Sequence, residues 1–157
     1  MIIAAFFQST TALHLNFNGV HPNLILVLVL TWSFLFPWPN IAIWVFVAGF
    51  ILDIFSNIAF GVFTVSLIAI SLLAGFWRVN DRVNPILSIL LALPYTLAFN
   101  LIIVFLLMIL TEREVNWVKI FTDFAFPEGI LNVIAMLFIY LWVAWLANIE
   151  QANELKL

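Results

Sequence analysis

Long apolar runs, separated by short polar or turn-forming stretches, follow one another along the whole chain. A membrane-spanning helix uses about 20 mostly apolar residues, and a length of 157 residues accommodates five or six of them. The pattern therefore predicts an all-α integral membrane protein, a six-transmembrane-helix bundle whose first span is short. The predicted spans of this single polytopic domain, residues 1–157, are residues 2–15, 22–36, 40–56, 61–77, 86–110 and 128–147.

The first apolar run is the least regular of the six. Residues 2–15 are interrupted by Gln8, Ser9, Thr10 and Thr11. Two interpretations stay open, a short first span or a helix that lies at the membrane interface. With five spans the N-terminus would change sides, whereas the later loops would stay where they are.

Proline, glycine and charged residues mark the breaks between the spans. Residues 37–40, PWPN, predict a corner because two prolines so close together interrupt a helix. A second corner is expected at residues 57–60, and a charged loop at 78–85. Residues 111–129 form another charged loop, whose alternating apolar residues indicate a segment on the membrane surface. Within the fifth span, Pro94 predicts a kink.

Composition narrows the class of protein further. The chain is 66% hydrophobic and 8% charged, with a mean hydropathy of +1.23, whereas soluble domains contain about 25% charged residues. A soluble globule is therefore excluded. The net charge of −3 comes without any basic cluster, which leaves no footprint for nucleic acid. The absence of cysteine excludes disulfides and thiolate metal sites.

Asp53 is the strongest candidate for a special role. It is the only Asp, Glu, Lys or Arg in the first 77 residues, and a carboxylate at bilayer depth costs about 2.5–3.5 kcal/mol on insertion scales. At helical spacing Gly49, Asp53, Ser56 and Asn57 fall on one face, where glycine permits close approach and the others offer polar contacts. Three roles are open: an anchor between helices, a substrate or proton site, or contact with a partner protein.

Other isolated polar residues and glycines are candidates of the same kind. Asn100 lies in the middle of the fifth span, where an amide can join helices or touch a ligand. Glu128 and Asn132 are four apart at the start of the last span, a spacing that suits a helix start, or a contact with a partner or a ligand. Gly61 opens the fourth span. Together with Gly49 and Asp53, Gly61 and Glu128 are the residues expected at an interface with a partner helix.

Catalytic and cofactor chemistry has little support in the sequence. His14 and His21 are the only histidines and have no carboxylate nearby, so they predict interfacial polar residues, with metal or pigment ligation as the alternative. No base lies near a serine that could serve as a nucleophile. The chain is expected to be neither an enzyme nor a cofactor carrier.

The basic residues give a weak prediction of orientation. With six spans, Arg78, Arg82 and Lys156 lie on one side of the membrane, and Arg113 and Lys119 lie on the other. The excess favours both termini in the cytoplasm. The carboxyl end of the third span, with its acid, then lies toward the outer side.

Three stretches of the chain together resemble a known family. They are HPNLIL at 21–26, AGFILDIFS at 48–56 and FGV at 60–62. This order of a P-[DN]-L-x-L segment, a G-x-x-x-D helix end, a polar corner and a glycine resembles the rod shape-determining protein MreD family. The size and an early Asn in the last helix, here Asn132, also fit.

The resemblance implies a non-enzymatic scaffold in the bacterial inner membrane. Members of the family take part in cell elongation, supporting peptidoglycan synthesis and rod shape, with MreC as the direct partner. Through it they connect to MreB, RodA and a class B penicillin-binding transpeptidase. The implied fold is similar to the six-helix substrate-binding subunits of energy-coupling-factor transporters.

A transporter subunit is the alternative function. A vitamin-type site needs an apolar pocket with a few convergent polar groups, and Asp53, Tyr95 and Asn100 are the residues that could converge. A pigment-complex subunit that uses His14 or His21 is a third possibility.

Overall fold

The computed structural model describes residues 20–76, 85–111 and 116–154, almost all of them helical. The predicted first span and His14 lie outside these residues. The helices are α1 (Leu24–Leu35), α2 (Trp38–Phe55), α3 (Val62–Gly75), α4 (Pro85–Thr111), α5 (Trp117–Ile120), a π-helical segment (Phe121–Ala125) and α6 (Phe126–Glu154).

Within the described residues, three helical stretches are long and apolar enough to cross a membrane. They are Trp38–Phe55, Ile86–Thr111 and Trp117–Trp142, and α1 and α3 are shorter apolar helices. Over the described residues, the prediction of an all-helical fold that contains candidate membrane spans is confirmed.

Helix α1 lies at the centre of the described bundle. It contacts α2, α3, α4 and α6, and eight of its 12 residues are buried. The sequence LILVLVLTWSFL is apolar on every side, and a helix of this kind is buried all round. Around it, α2 packs mainly against α3, and α4 packs mainly against α6.

The corner predicted at residues 37–40 is shorter than expected. Helix α1 ends at Leu35 and α2 already begins at Trp38, with Pro37 as its N-cap residue. Pro39 falls in the first helical turn, where its missing N–H would have had no partner in any case. Pro94 also lies inside a helix, since α4 continues through it.

The second charged loop differs most from the prediction. A loop was expected over residues 111–129, but from Trp117 onward the chain is helical and continues without a break into α6. Asn116 starts this helix by accepting a hydrogen bond from the Lys119 backbone N–H at 3.1 Å. The apolar residues of this segment belong to a helical stretch, Trp117–Trp142, that is long and apolar enough to cross a membrane. The last helix therefore begins earlier than residue 128.

Candidate functional site

A close contact between helices α2 and α3 involves a glycine. A Cβ at Gly49 would fall against the Thr64 Cα and within 3.0 Å of the Thr64 backbone N. Helices α2 and α3 therefore touch backbone to backbone, an approach that only a residue without a side chain permits. Gly49 is occupied by a contact within the chain.

Asp53 follows Gly49 by one turn and caps the start of α3. Its Oδ1 accepts a hydrogen bond from the Phe63 N–H at 2.9 Å, and its Oδ2 accepts from the Thr64 N–H at 3.1 Å. The Thr64 hydroxyl also donates to Oδ2 at 2.5 Å. The side chain is only 3% exposed, and a carboxylate at a helix N-terminus is stabilised by the free N–H groups and the helix dipole.

This arrangement provides partners both for the first N–H groups of α3 and for the Asp53 carboxylate. The first N–H groups of α3 have no partner inside their own helix, and in a membrane each unsatisfied backbone group costs several kcal/mol. Asp53 supplies acceptors to two of them and is itself solvated by three donors. The geometry corresponds to the role of an anchor between helices.

The face predicted from Gly49 to Asn57 is shorter than helical spacing suggested. Helix α2 ends at Phe55, and Ser56 is extended, with ψ 153°. Ser56 donates from its hydroxyl to the Asp53 backbone carbonyl at 3.2 Å, while Asn57 is exposed. Gly61 then takes a φ of 95°, in the left-handed region that favours glycine, and precedes the first residue of α3.

A second polar group, which we call the amide cluster, consists of Asn23, Thr96, Asn100, Glu128 and Asn132. It joins α4 and α6 to the start of α1. The Asn132 Oδ1 accepts from the Asn23 backbone N–H at 2.7 Å, and the Asn132 Nδ2 donates to the Thr96 Oγ1 at 3.1 Å. Asn132 and Thr96 are fully buried. One amide thus bridges three parts of the bundle.

Asn100 and Glu128 form the other half of the amide cluster. The Asn100 Nδ2 donates to the Glu128 Oε2 at 3.0 Å and to the Thr96 carbonyl at 3.2 Å. Glu128 is partly buried and lies at the start of α6, one turn before Asn132 on the same helix face. The sequence predicted these two as separate candidates, and the structure brings them together.

Several residues of these groups were not predicted from the sequence. Asn23 is the N-cap of α1 and accepts from the Leu26 N–H at 3.0 Å, a role that a polar residue before an apolar run signals. Thr96, at position i−4 from Asn100, lies on the same helix face. The bond from the Trp38 Nε1 to the Ser71 Oγ, at 3.1 Å, had no comparable signal because the two residues are 33 apart.

A convergent ligand site of the kind that the transporter alternative requires is not formed by the expected residues. Asp53 bonds to α3, whereas Asn100 bonds to α6 and to its own helix. Tyr95 is buried against Phe34, edge to face at 5.8 Å. Over the described residues, no three His, Cys, Asp or Glu side chains lie close enough together to hold a metal ion.

Comparisons with family models, with curated proteins and with solved structures found no match for this chain.

Proposed function

We propose that this protein is a non-enzymatic membrane scaffold of the MreD type, which binds MreC in the bacterial inner membrane and supports peptidoglycan synthesis and rod shape. The proposal rests on the resemblance in sequence together with one structural observation. The Asp53 carboxylate is fully engaged by donors of its own chain, which supports a role in architecture over proton transfer or ligand binding.

The positions that carry the resemblance support the proposal because they form helix caps, a turn and a close helix contact. Asn23 caps α1, Asp53 caps α3, and Gly61 makes the left-handed turn between α2 and α3. Gly49 permits the close contact behind that turn. A motif of this composition fixes the shape of a bundle, and shape is what a scaffold presents to its partner.

The finer architecture belongs to the same proposal. It comprises six spans, the first over residues 2–15, with a fold similar to that of energy-coupling-factor substrate-binding subunits and both termini in the cytoplasm. In that arrangement the α2–α3 corner faces outward. The connections to MreB, RodA and the transpeptidase follow through MreC.

Co-purification tests the proposal directly. A tagged chain isolated from its native membranes should carry MreC, identified by mass spectrometry. Asp53→Leu should retain less MreC and produce rounded cells, because Leu leaves three donors at the start of α3 without an acceptor. Asp53→Asn keeps one acceptor oxygen and should lie between Leu and the wild type.

Two results would count against it. A purified chain with no MreC, or with a stoichiometric metabolite in its place, would contradict the scaffold function. If Asp53→Leu recovered as much MreC as the wild type and kept the wild-type cell shape, Asp53 would not be required for the scaffold function. Thermal unfolding of each variant, measured in detergent, distinguishes loss of binding from loss of fold.

A further inference from the structure

Helix α1 is too short to cross a membrane. It has 12 residues, Leu24–Leu35, and a helix of this size is about 18 Å long at 1.5 Å per residue. The hydrocarbon core that a span must cross is ~30 Å thick. Residues 20–23, which lead into α1, are not helical. At least one end of α1 therefore lies within the hydrocarbon core.

Two hydrogen bonds of the amide cluster fix the position of the start of α1. The Asn23 N–H donates to the Asn132 Oδ1 at 2.7 Å, and the Asn132 Nδ2 donates to the Thr96 Oγ1 at 3.1 Å. All three residues are buried. The start of α1 is therefore held at the level of Asn132 on α6 and of Thr96 on α4.

The two long helices give the same depth for this point. In the stretch Trp117–Trp142, Asn132 lies 15 residues from the first end and 10 from the last. In the stretch Ile86–Thr111, Thr96 lies 10 residues from the first end and 15 from the last. The bonds between α4 and α6 show that the two helices run antiparallel, so these distances agree. Both residues are about 4 Å from the middle of their stretch, at 1.5 Å per residue.

From this point α1 runs toward one surface of the membrane. The Thr31 hydroxyl donates to the Met136 Sδ at 3.1 Å, and Met136 is one turn beyond Asn132, toward the Trp142 end of α6. Half of the hydrocarbon core is about 15 Å thick, which α1 covers with its length of about 18 Å. Its far end therefore reaches the surface, where α2 begins at Trp38, a residue type that is common at membrane–water interfaces.

We infer that α1 is a half-membrane helix, which begins near the centre of the bilayer and ends at one surface. Asn23 and Asn132 then supply acceptors to N–H groups at the start of α1, at a depth where lipid offers none. His21, which is exposed, lies inside the bilayer rather than at the interface that the sequence predicted. Ionisable side chains at such a depth are rare and mark functional positions. The half-membrane helix does not depend on the binding of MreC.

Fluorescence quenching by nitroxide lipids measures the depth of the start of α1. The chain has no cysteine of its own, so His21→Cys, Leu24→Cys and Asn40→Cys each accept a single bimane label, at positions that are at least partly exposed. Each labelled full chain is reconstituted in phosphatidylcholine vesicles with the nitroxide at the head group, near the top or near the end of the acyl chain. The first two labels should lie within about 8 Å of the bilayer centre, and the label on Asn40→Cys about 15 Å from it, at the edge of the hydrocarbon core.

Leu101→Cys is the matched reference for the bilayer centre. Leu101 is 46% exposed on α4 and lies 10 residues from Thr111, near the middle of its stretch, so its label should give the same depth as the label on Leu24→Cys. Thermal unfolding in detergent shows which labelled variants are folded. The two positions at the start of α1, His21 and Leu24, keep the test decisive if one of the substitutions prevents folding.

Two outcomes would overturn the half-membrane helix. One is a label on Leu24→Cys or His21→Cys that lies at either surface, since α1 would then begin at the edge of the membrane. The other is a Leu101→Cys label at a surface, because the middle of α4 would then not mark the bilayer centre. A chain that fails to bind MreC but gives the expected depths would contradict the scaffold function alone.

Discussion

Individual residues at helix ends account for much of the order in this bundle. Asp53 and Asn23 each place an acceptor where a helix would otherwise begin with unpaired N–H groups. Several serine and threonine residues inside the helices bond back to the carbonyl four residues earlier, as Thr31 does to Val27 at 2.8 Å. In a membrane these polar groups are satisfied within the chain because lipid offers them no partner.

Gly49→Ala tests the contact between Gly49 and the Thr64 backbone. The added Cβ meets the Thr64 backbone, which cannot rotate away as a side chain would, so α2 and α3 must separate. We expect a loss of about 1–3 kcal/mol in the free energy of unfolding, as for other overpacked sites.

The measurement is thermal or denaturant unfolding in detergent, followed by circular dichroism. Gly75→Ala is the control, since a Cβ there meets nothing within 4 Å, and it should be neutral or slightly stabilising. Equal stability of Gly49→Ala and Gly75→Ala would contradict the described contact.

At the scale of elements, the bundle contains two well-connected pairs and a central helix. Helices α2 and α3 are joined by the Gly49 contact and the Asp53 cap, and α4 and α6 by the amide cluster. The Asn23–Asn132 bond then attaches the start of α1 to α6. These polar contacts therefore fix the positions of the helices along one another, which apolar contacts alone would specify less strictly.

Asn132→Ala should destabilise the bundle more than Asn100→Ala. The Asn132 amide bonds to both Asn23 and Thr96, and its loss removes an acceptor from a buried backbone N–H, at about 1–3 kcal/mol. Asn100 makes one bond between helices, of the kind that averages about 0.6 kcal/mol in membrane proteins.

Unfolding free energies in detergent measure this difference. Asn57→Ala, at an exposed corner, is the reference and should change stability little. A larger loss for Asn100→Ala than for Asn132→Ala would show that the Asn100 bonds to Glu128 and Thr96 stabilise the bundle more than the Asn132 bonds do.

The described part of the molecule exposes a large apolar surface. Phe46, Phe50 and Phe60 form a ladder on the outside of the α2–α3 pair, with ring centroids 6.2 and 5.5 Å apart. An apolar surface of this extent marks contact with a membrane or with a protein. The long helices of the bundle make the bilayer the natural partner.

We predict that the two ends of α2 lie on opposite sides of the membrane. Asn40 and Asn57 are both exposed, and 17 residue steps separate them by about 26 Å along a helix, close to the hydrocarbon thickness of ~30 Å. The chain has no cysteine of its own, so Asn40→Cys and Asn57→Cys each introduce a single label site.

A membrane-impermeant maleimide, applied to intact cells and to inverted vesicles, should label the two variants from opposite sides. Asn57→Cys should react from the outside if the proposed orientation is correct. Labelling of both variants from the same side would contradict α2 as a spanning helix.

The sequence by itself determined the class of protein and the approximate limits of its helices. Continuous apolar runs have no stable place in water, and in lipid the backbone must satisfy itself as a helix. It also singled out Asp53 and Asn100, because a polar group inside an apolar run is costly whatever surrounds it. These conclusions depend on local composition alone.

Only the tertiary structure decided which polar groups meet. Several hydrogen bonds join residues that are 28 to 109 positions apart: Asn100 to Glu128, Asn132 to Asn23 and to Thr96, and Trp38 to Ser71. No local pattern in the sequence encodes which helices become neighbours. The start of the last helix was also not predicted, because charged residues around position 119 suggest a loop. In the structure the helix continues through these residues, from Trp117 onward.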